Sequence, residues 1–262
     1  MTRRTWLRTA TLAPLALASP LPGAGKTLLT IGAHMDDNEW CAGGLICKAL
    51  RDGLKVVMVQ AVSDWSNWPQ SQGREQHVRQ GVLRIARDLG AEKVLLGYKY
   101  HHVPLDMDVK MRLVKIVERV QPDIAVVMSE ADYWTDHANI ARAGKDALMF
   151  IHGYLGRAFK GPSVILAGTA GFNQTWDFKP DTFVDVTDVI GRVCQTITAL
   201  DNLLTDEPEY VATVTLPGLA EPQQLTSGAE RVLAARSIFG EMAGVRYAEA
   251  FRTIRRTARD LW

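Results

Sequence analysis

The chain is short of most features that settle a function by composition. Cysteine is scarce, 3 in 262 residues. Cys41 and Cys47 are six positions apart, which places them about 240° from each other around a helix. With Cys194 far along the chain, neither a disulfide framework nor a cysteine-built zinc site is readable. Excess charge is missing too: 30 basic against 29 acidic residues give +1, without the basic field that draws a nucleic-acid backbone. No apolar run reaches the roughly 20 residues of a membrane helix, and no fixed-period repeat or long polar linker divides the chain. The turn after the first predicted strand lacks a phosphate-binding glycine fingerprint and is acidic, which counts against a nucleotide-binding domain. What is present is 47% apolar and 23% charged residues, enough to bury a full core in a chain of this length.

Thr2-Arg3-Arg4-Thr5-Trp6-Leu7-Arg8 leads into the apolar run Ala10 to Ala18 and then Ser19-Pro20-Leu21-Pro22-Gly23. Paired arginines before a short apolar run resemble a twin-arginine export signal, and Ala16-Leu17-Ala18 supplies small residues for cleavage. Residues 1–26 are therefore expected to be a signal peptide with a short spacer, and 27–262 a single domain exported to the periplasm or beyond. A plain basic N-terminus, the alternative, would leave the protein cytoplasmic. Cleavage after Ala18 removes three arginines and takes the balance to 27 minus 29, or −2.

From Thr27 short β-branched runs alternate with stretches of helical period, the signature of a βαβ series and a parallel sheet. Strands are expected at Leu28 to Gly32, Lys55 to Val62, Lys93 to Leu96, Ile124 to Met128 and Ser163 to Ala167. Helices are expected from Trp40 to Arg51, from Glu75 to Leu89, from Asp106 to just before Pro122, and from after His137 to Phe150. Glycines at 53 and 90 and the proline at 122 stop the first three. Beyond Gly168 the sequence predicts a strand at Phe178 to Val186, a helix at Asp188 to Leu200, an irregular stretch at Asp206 to Gly228, and helices at Ala229 to Phe239 and Val245 to Arg255. The expected architecture is α/β and three-layered, a Rossmann-like fold. Its mainly parallel sheet has order 3-2-1-4-5, followed by a C-terminal α/β elaboration.

Two polar segments follow the strands that frame the switch in strand order. Gly32-Ala33-His34-Met35-Asp36-Asp37-Asn38 follows the first strand and Asp132-Tyr133-Trp134-Thr135-Asp136-His137 the fourth. Ligands in an open parallel sheet bind beyond the carboxyl ends of the strands at that switch. Taken singly, each cluster reads as a helix cap or a satisfied polar group. Together, imidazoles and carboxylates at one sheet edge suit a zinc ion with a position left for water.

At these residues the sequence resembles the PIG-L/LmbE-like zinc-dependent N-deacetylases, relatives of the GlcNAc-PI de-N-acetylases. The family's Ala-His-Pro-Asp-Asp motif with a following glycine pair stands here as Ala33-His34-Met35-Asp36-Asp37 with Gly43-Gly44. Its His-x-Asp-His motif stands as Trp134-Thr135-Asp136-His137. Phe183-Val184-Asp185-Val186-Thr187 and Arg246-Tyr247-Ala248-Glu249-Ala250-Phe251-Arg252 resemble its C-terminal landmarks. The resemblance implies one Zn²⁺ per chain on His34, Asp37 and His137, with Asp36 as general base on the bound water and Asp136 orienting a histidine. It further implies removal of an N-acyl, chiefly N-acetyl, group from an amino sugar or sugar conjugate. The partner is then a small molecule, with no nucleic acid and no stable membrane insertion after cleavage, while self-association stays open.

Three positions depart from the family pattern: Met35 for proline, Asn38 for an acidic residue, and Trp134 for the first histidine of the second motif. That histidine is expected to assist the leaving amine, and Tyr133, His101 and His102 are the local candidates to replace it. A zinc-dependent carbohydrate-binding protein of the same fold with little or no activity is the alternative that Trp134 favours. Trp65 and Trp68, in the loop after the second strand, read either as faces for stacking a sugar ring or as core. Arg79 is a substrate-binding candidate by position alone, and His102 either a substrate contact or an exposed loop residue.

Overall fold

Short runs dense in valine, isoleucine and leucine become the central strands because both of their faces are covered by helices. In the computed structural model the described residues are 15–17, 25–170 and 175–256. The expected export segment therefore lies outside them, apart from 15–17 and from Gly25 onward. In chain order the elements are β1 (Leu15–Leu17), β2 (Thr27–Gly32), α1 (Asp37–Arg51), β3 (Lys55–Asp64), α2 (Glu75–Leu89), β4 (Glu92–Lys99), α3 (Met107–Val120), β5 (Ile124–Met128), α4 (Thr135–Met149), α5 (Ile151–Leu155), β6 (Val164–Gly168), β7 (Thr182–Asp185), α6 (Ile190–Asp201), β8 (Ala212–Val214), β9 (Gln223–Leu225), α7 (Ser227–Ala243) and β10 (Ala248–Arg256).

Strands β4-β3-β2-β5-β6 are parallel neighbours in that order, the 3-2-1-4-5 arrangement expected from sequence. The sheet then continues through antiparallel β10 to β7 and β1. Helices α1, α2, α6 and α7 pack together on one face, and α3, α4 and α5 on the other. All six residues of β2 are buried, as are the eight interior residues of β3. Among the described residues no helix is long and apolar enough to cross a membrane.

The largest correction is Val245 to Arg255, expected as a helix and observed as the strand β10. Tyr247, Ala248, Phe251 and Ile254 do recur at helical spacing, but the segment pairs with β7 through Ala248–Phe251 and with β6 through Arg252–Arg256. The open sheet edge between those strands satisfies its backbone and overrides the local period. The strand expected over Phe178 to Val186 shortens to Thr182–Asp185, beyond Pro180, which has no N–H to give a ladder. The stretch expected to be irregular carries the β8-β9 pair, and α7 starts at Ser227, where Thr226 Oγ1 accepts from the Ala229 amide at 3.4 Å. Helix α1 begins three residues before Trp40, and α4 begins at Thr135, so His137 sits in its first turn.

Candidate metal centre

The turn between β2 and α1 is built by its own carboxylate. Asp37 Oδ2 accepts from the amides of Ala33 at 3.0 Å and His34 at 2.6 Å, a local side-chain to backbone closure that fixes where His34 leaves the chain. Only glycine fits before it, since a Cβ on Gly32 would lie 2.9 Å from Asp37 Cβ. The neighbouring strand β5 delivers α4, and the first turn of α4 brings His137 across the crevice.

His34 Nδ1 lies 2.9 Å from His137 Nε2, and each is 3.4 Å from Asp37 Oδ2. Tetrahedral ligands at the bond lengths of zinc lie about 3.3 Å apart, so these three atoms have the spacing of one ion's coordination shell, and they form the metal-capable group among the described residues. The outer nitrogen of each imidazole meets a carboxylate: His34 Nε2 with Asp136 Oδ2 at 3.2 Å, and His137 Nδ1 with Asp132 Oδ2 at 2.8 Å. That pairing holds ring orientation and aims the inner nitrogen at the point between the three atoms. Asp136 is itself fixed by the amides of His101 at 2.7 Å and Val103 at 3.0 Å, as Asp132 is by the amide of Trp134 at 2.9 Å. Sequence reasoning missed Asp132 as the brace of His137; the signal available was a second carboxylate five residues before the histidine.

Burial sets the electrostatics of the centre. Burial, reinforced by the charge of Asp37 and only partly opposed by that of His34, pushes the Asp36 carboxyl up to about 7. Burial also disfavours charge on His34, yet hydrogen bonds to Asp136 and Asp37 outweigh it and push the imidazole up to about 10. Burial would raise Asp37, but the charges of His137 and His34 hold it well below the usual carboxylate range. A cation in the triad would replace protons that the two histidines otherwise keep.

Two buried ion pairs hold the turn and the helix that follows. Lys93 Nζ, from β4, donates to the Met35 carbonyl at 2.7 Å and to Glu39 Oε1 at 3.0 Å, with both side chains buried. Helix α1 breaks at Ala42 (φ −146, ψ 24), just past its first turn. There Glu249 of β10 accepts from the amides of Gly44 at 2.7 Å and Leu45 at 2.8 Å, so a carboxylate caps the restarted helix. Arg236 of α7 joins Glu249 at 3.0 Å to the Trp40 carbonyl at 2.5 Å. Gly44 leaves room here: a Cβ would run into the Val186 side chain and come within 3.2 Å of Glu249 Cδ.

The triad opens into a cleft of about 530 Å³ walled by Trp40, Trp68, Tyr100 and Trp134 and, on the α7 side, by Arg231, Ala234, Ala235 and Ile238. Asp36 lines it beside the triad. Trp68 stacks on Tyr100 at 5.4 Å and 26° in the wall of the cleft. Trp65 also borders the cleft but is 1% exposed and packs into the core. Trp134 stacks on His101 at 5.4 Å and 6° and faces His137 at 5.9 Å and 22°. Its indole therefore covers a candidate metal ligand and presents no titrating group.

Three expected residues stand apart from the cleft lining. Tyr133 is half exposed with its ring toward Trp176, His102 is exposed with Nδ1 bonded to the Tyr100 carbonyl at 2.8 Å, and Arg79 is exposed with Nη1 on Ser63 Oγ at 3.3 Å.

Residues 29–148 match the family model "PIG-L: GlcNAc-PI de-N-acetylase". A 4-oxalmesaconate hydratase of Pseudomonas putida is 25% identical over 177 residues, covering 63% of this chain and 69% of the hydratase. Among solved structures, the N,N'-diacetylchitobiose deacetylase of Pyrococcus horikoshii superposes with TM-score 0.70 at 21% identity, over 91% of this chain and 86% of that one. The 4-carboxy-2-hydroxymuconate hydratase of Pseudomonas putida gives 0.68 at 21% identity, over 89% and 98%. At these identities the superpositions establish a shared fold.

Proposed function

Starting from a chain whose residues 29–148 form a PIG-L domain, we propose that it is a zinc-dependent N-deacylase acting on a small acylated amine, with N-acetylated amino sugars or their conjugates as the substrate class. The observation that carries this reading is the convergence of His34 Nδ1, His137 Nε2 and Asp37 Oδ2 on one point, with Asp36 in the same cleft. Zinc held by these three atoms would supply a Lewis acid for an amide carbonyl and would make a bound water more acidic.

The chain's own residues do the rest. Asp36, with its proton affinity raised by burial, takes the proton from the attacking water and passes it to the amine as the C–N bond breaks. A C–O bond forms, and the products are a carboxylate and an amine. Asp132 and Asp136 keep the two imidazoles in the tautomer that leaves the inner nitrogens free. Because Trp134 stands where an imidazole could assist the leaving group, one carboxylate serves both proton transfers. Trp134 and Tyr100 keep bulk water from the reacting carbonyl, and the Trp68–Tyr100 stack offers a flat face to a sugar ring.

A second reading is hydration of a carbon–carbon double bond, favoured by the sequence relation to a hydratase. Asp36 can move a proton in that reaction as well, so the two readings separate on products. In the test, purified protein is assayed for acetate release from N-acetylated amino sugars, with metal content measured beside it. Asp36→Ala should keep about one zinc per chain and lose amide hydrolysis, by about 10²–10⁴-fold in kcat for a general acid–base group. Full activity in that variant would sink the deacylase mechanism, whereas hydration of an unsaturated acid without any acetate release would establish the second reading.

A further inference from the structure

The cleft has two unlike linings. The triad side carries Asp37 of the triad and its neighbour Asp36, while the α7 side is apolar except for Asp201 and Arg231. Apart from the histidines of the triad, Arg231 is the one cationic side chain among the described residues that line the cleft. It is held ready for a ligand. Its guanidinium lies 5.4 Å from the centre of the Trp40 ring, and its Nε donates to the Ser227 carbonyl at 3.2 Å. Trp40 is in turn fixed through its carbonyl by Arg236. The two terminal nitrogens of Arg231 make no hydrogen bond to a described residue. Asp201 is close enough to feel the charge of Arg231 but makes no ion pair with it, its carboxylate accepting from Thr226 Oγ1 at 2.5 Å and from the Gly228 amide at the start of α7.

We propose that Arg231 makes the α7 side of the cleft an oxyanion subsite, so that the substrate bears a carboxylate or a phosphate placed to dock on it. A planar guanidinium already resting on an indole recognises such a group bidentately with little further loss of freedom. The cleft also needs such a group if its substrate is anionic, since Asp36, Asp37 and Asp201 would otherwise repel it. Its volume of about 530 Å³ suits a ligand that reaches from the metal residues to the α7 side, rather than an acetamido group alone. The inference rests on the reading of the cleft as a hydrolytic site, and it narrows the substrate to acylated amines that carry a negative charge.

The test compares three compounds on wild type, Arg231→Gln and Arg231→Lys: N-acetylglucosamine, which is neutral, N-acetylmuramate, a carboxylate, and N-acetylglucosamine phosphate. Wild type should favour one of the anionic compounds over the neutral one in kcat/KM. Arg231→Gln should lower that preference about ten- to a hundredfold through KM, the size of a charge-assisted hydrogen-bond pair, and Arg231→Lys should restore part of it. The compound whose KM moves names the anion, carboxylate or phosphate. A preference that is absent in wild type or unchanged in Arg231→Gln overturns the proposal.

Binding is measured in parallel by Trp40-sensitive fluorescence with the same compounds, so that the two readings fail separately. Absence of acetate release together with anion-selective binding that Arg231→Gln abolishes would reject the deacylase and keep the subsite. Acetate release with charge-indifferent binding would do the reverse. Arg231 is exposed on α7, and unchanged melting curves for both variants establish that the fold is intact.

Discussion

The triad side of the cleft and its α7 side are built on different principles. Around the triad the three candidate ligands and their supports are tied down: Asp37 closes its own turn, Asp136 and Asp132 each brace one imidazole, and Lys93 holds the Met35 carbonyl from below. On the α7 side Ile238 is 49% exposed and Arg231 leaves its terminal nitrogens unbonded. The first arrangement is suited to holding an ion whose geometry does not change, and the second to admitting ligands whose shape does. Rigidity is concentrated at the three candidate ligands, and latitude on the side where the proposed anion subsite lies.

The comparison breaks most sharply if the buried support is not what keeps the triad side rigid. Lys93→Met leaves Glu39 as an unpaired buried carboxylate and frees the Met35 carbonyl. It should destabilise the protein by about 3–5 kcal/mol, the usual cost of removing one partner of a buried pair. Lys93→Met combined with Glu39→Leu should recover much of that loss in chemical denaturation, because no buried charge is then left. It should not recover metal affinity, because the Met35 carbonyl still has no donor. Full recovery of both would show that Lys93 answers only to Glu39 and leaves the turn unsupported.

A smaller effect sharpens the same contrast. Asp132→Asn removes the carboxylate 2.8 Å from His137 Nδ1 without touching a candidate ligand atom. Metal affinity should fall about 10–100-fold, as losing such a brace does, while zinc still binds at one per chain when supplied in excess. Isothermal titration of metal-free protein measures it, and an affinity within twofold of wild type would mean that the helix alone orients His137.

These cases mark how far the sequence was legible. The segments that hold His34, Asp37 and His137 could be placed at one crevice because each follows a predicted strand and the strand order brings those ends together, while the choice of these three residues came from the resemblance to the family's motifs. Asp132 could not be assigned, because two carboxylates precede His137 and only the packed crevice decides that Asp136 reaches His34 while Asp132 reaches His137. Trp65 and Trp68 occupy one loop and both border the cleft, yet Trp65 is buried in the core while Trp68 is only partly buried, a difference fixed by loop closure rather than composition. The strand β10 shows the same limit, since its apolar spacing fits a helix and only the gap between β6 and β7 makes it a strand. Arg231 had no motif to announce it. Its place in the cleft comes from the packing of α7 against α6 and β10.

The mildest expected effect is a pH dependence confined to the triad side. In metal-free protein the His34 imidazole is pushed up to about 10, from about 6.5 when unfolded, because Asp136 and Asp37 outweigh its burial. Its protonated form therefore contributes stability that is fully present below about pH 6.5 and is lost as pH rises through about 10. Metal binding must displace that proton, so metal affinity should climb across the same window in which metal-free stability declines. Thermal midpoints of metal-free and zinc-loaded protein between pH 6 and 10 should diverge, falling for the first and changing less for the second. Arg231→Gln, remote from these hydrogen bonds, should leave both slopes as they are. A slope that changed in that variant would mean that the two sides of the cleft share one electrostatic network, and the division of labour between them would have to be withdrawn.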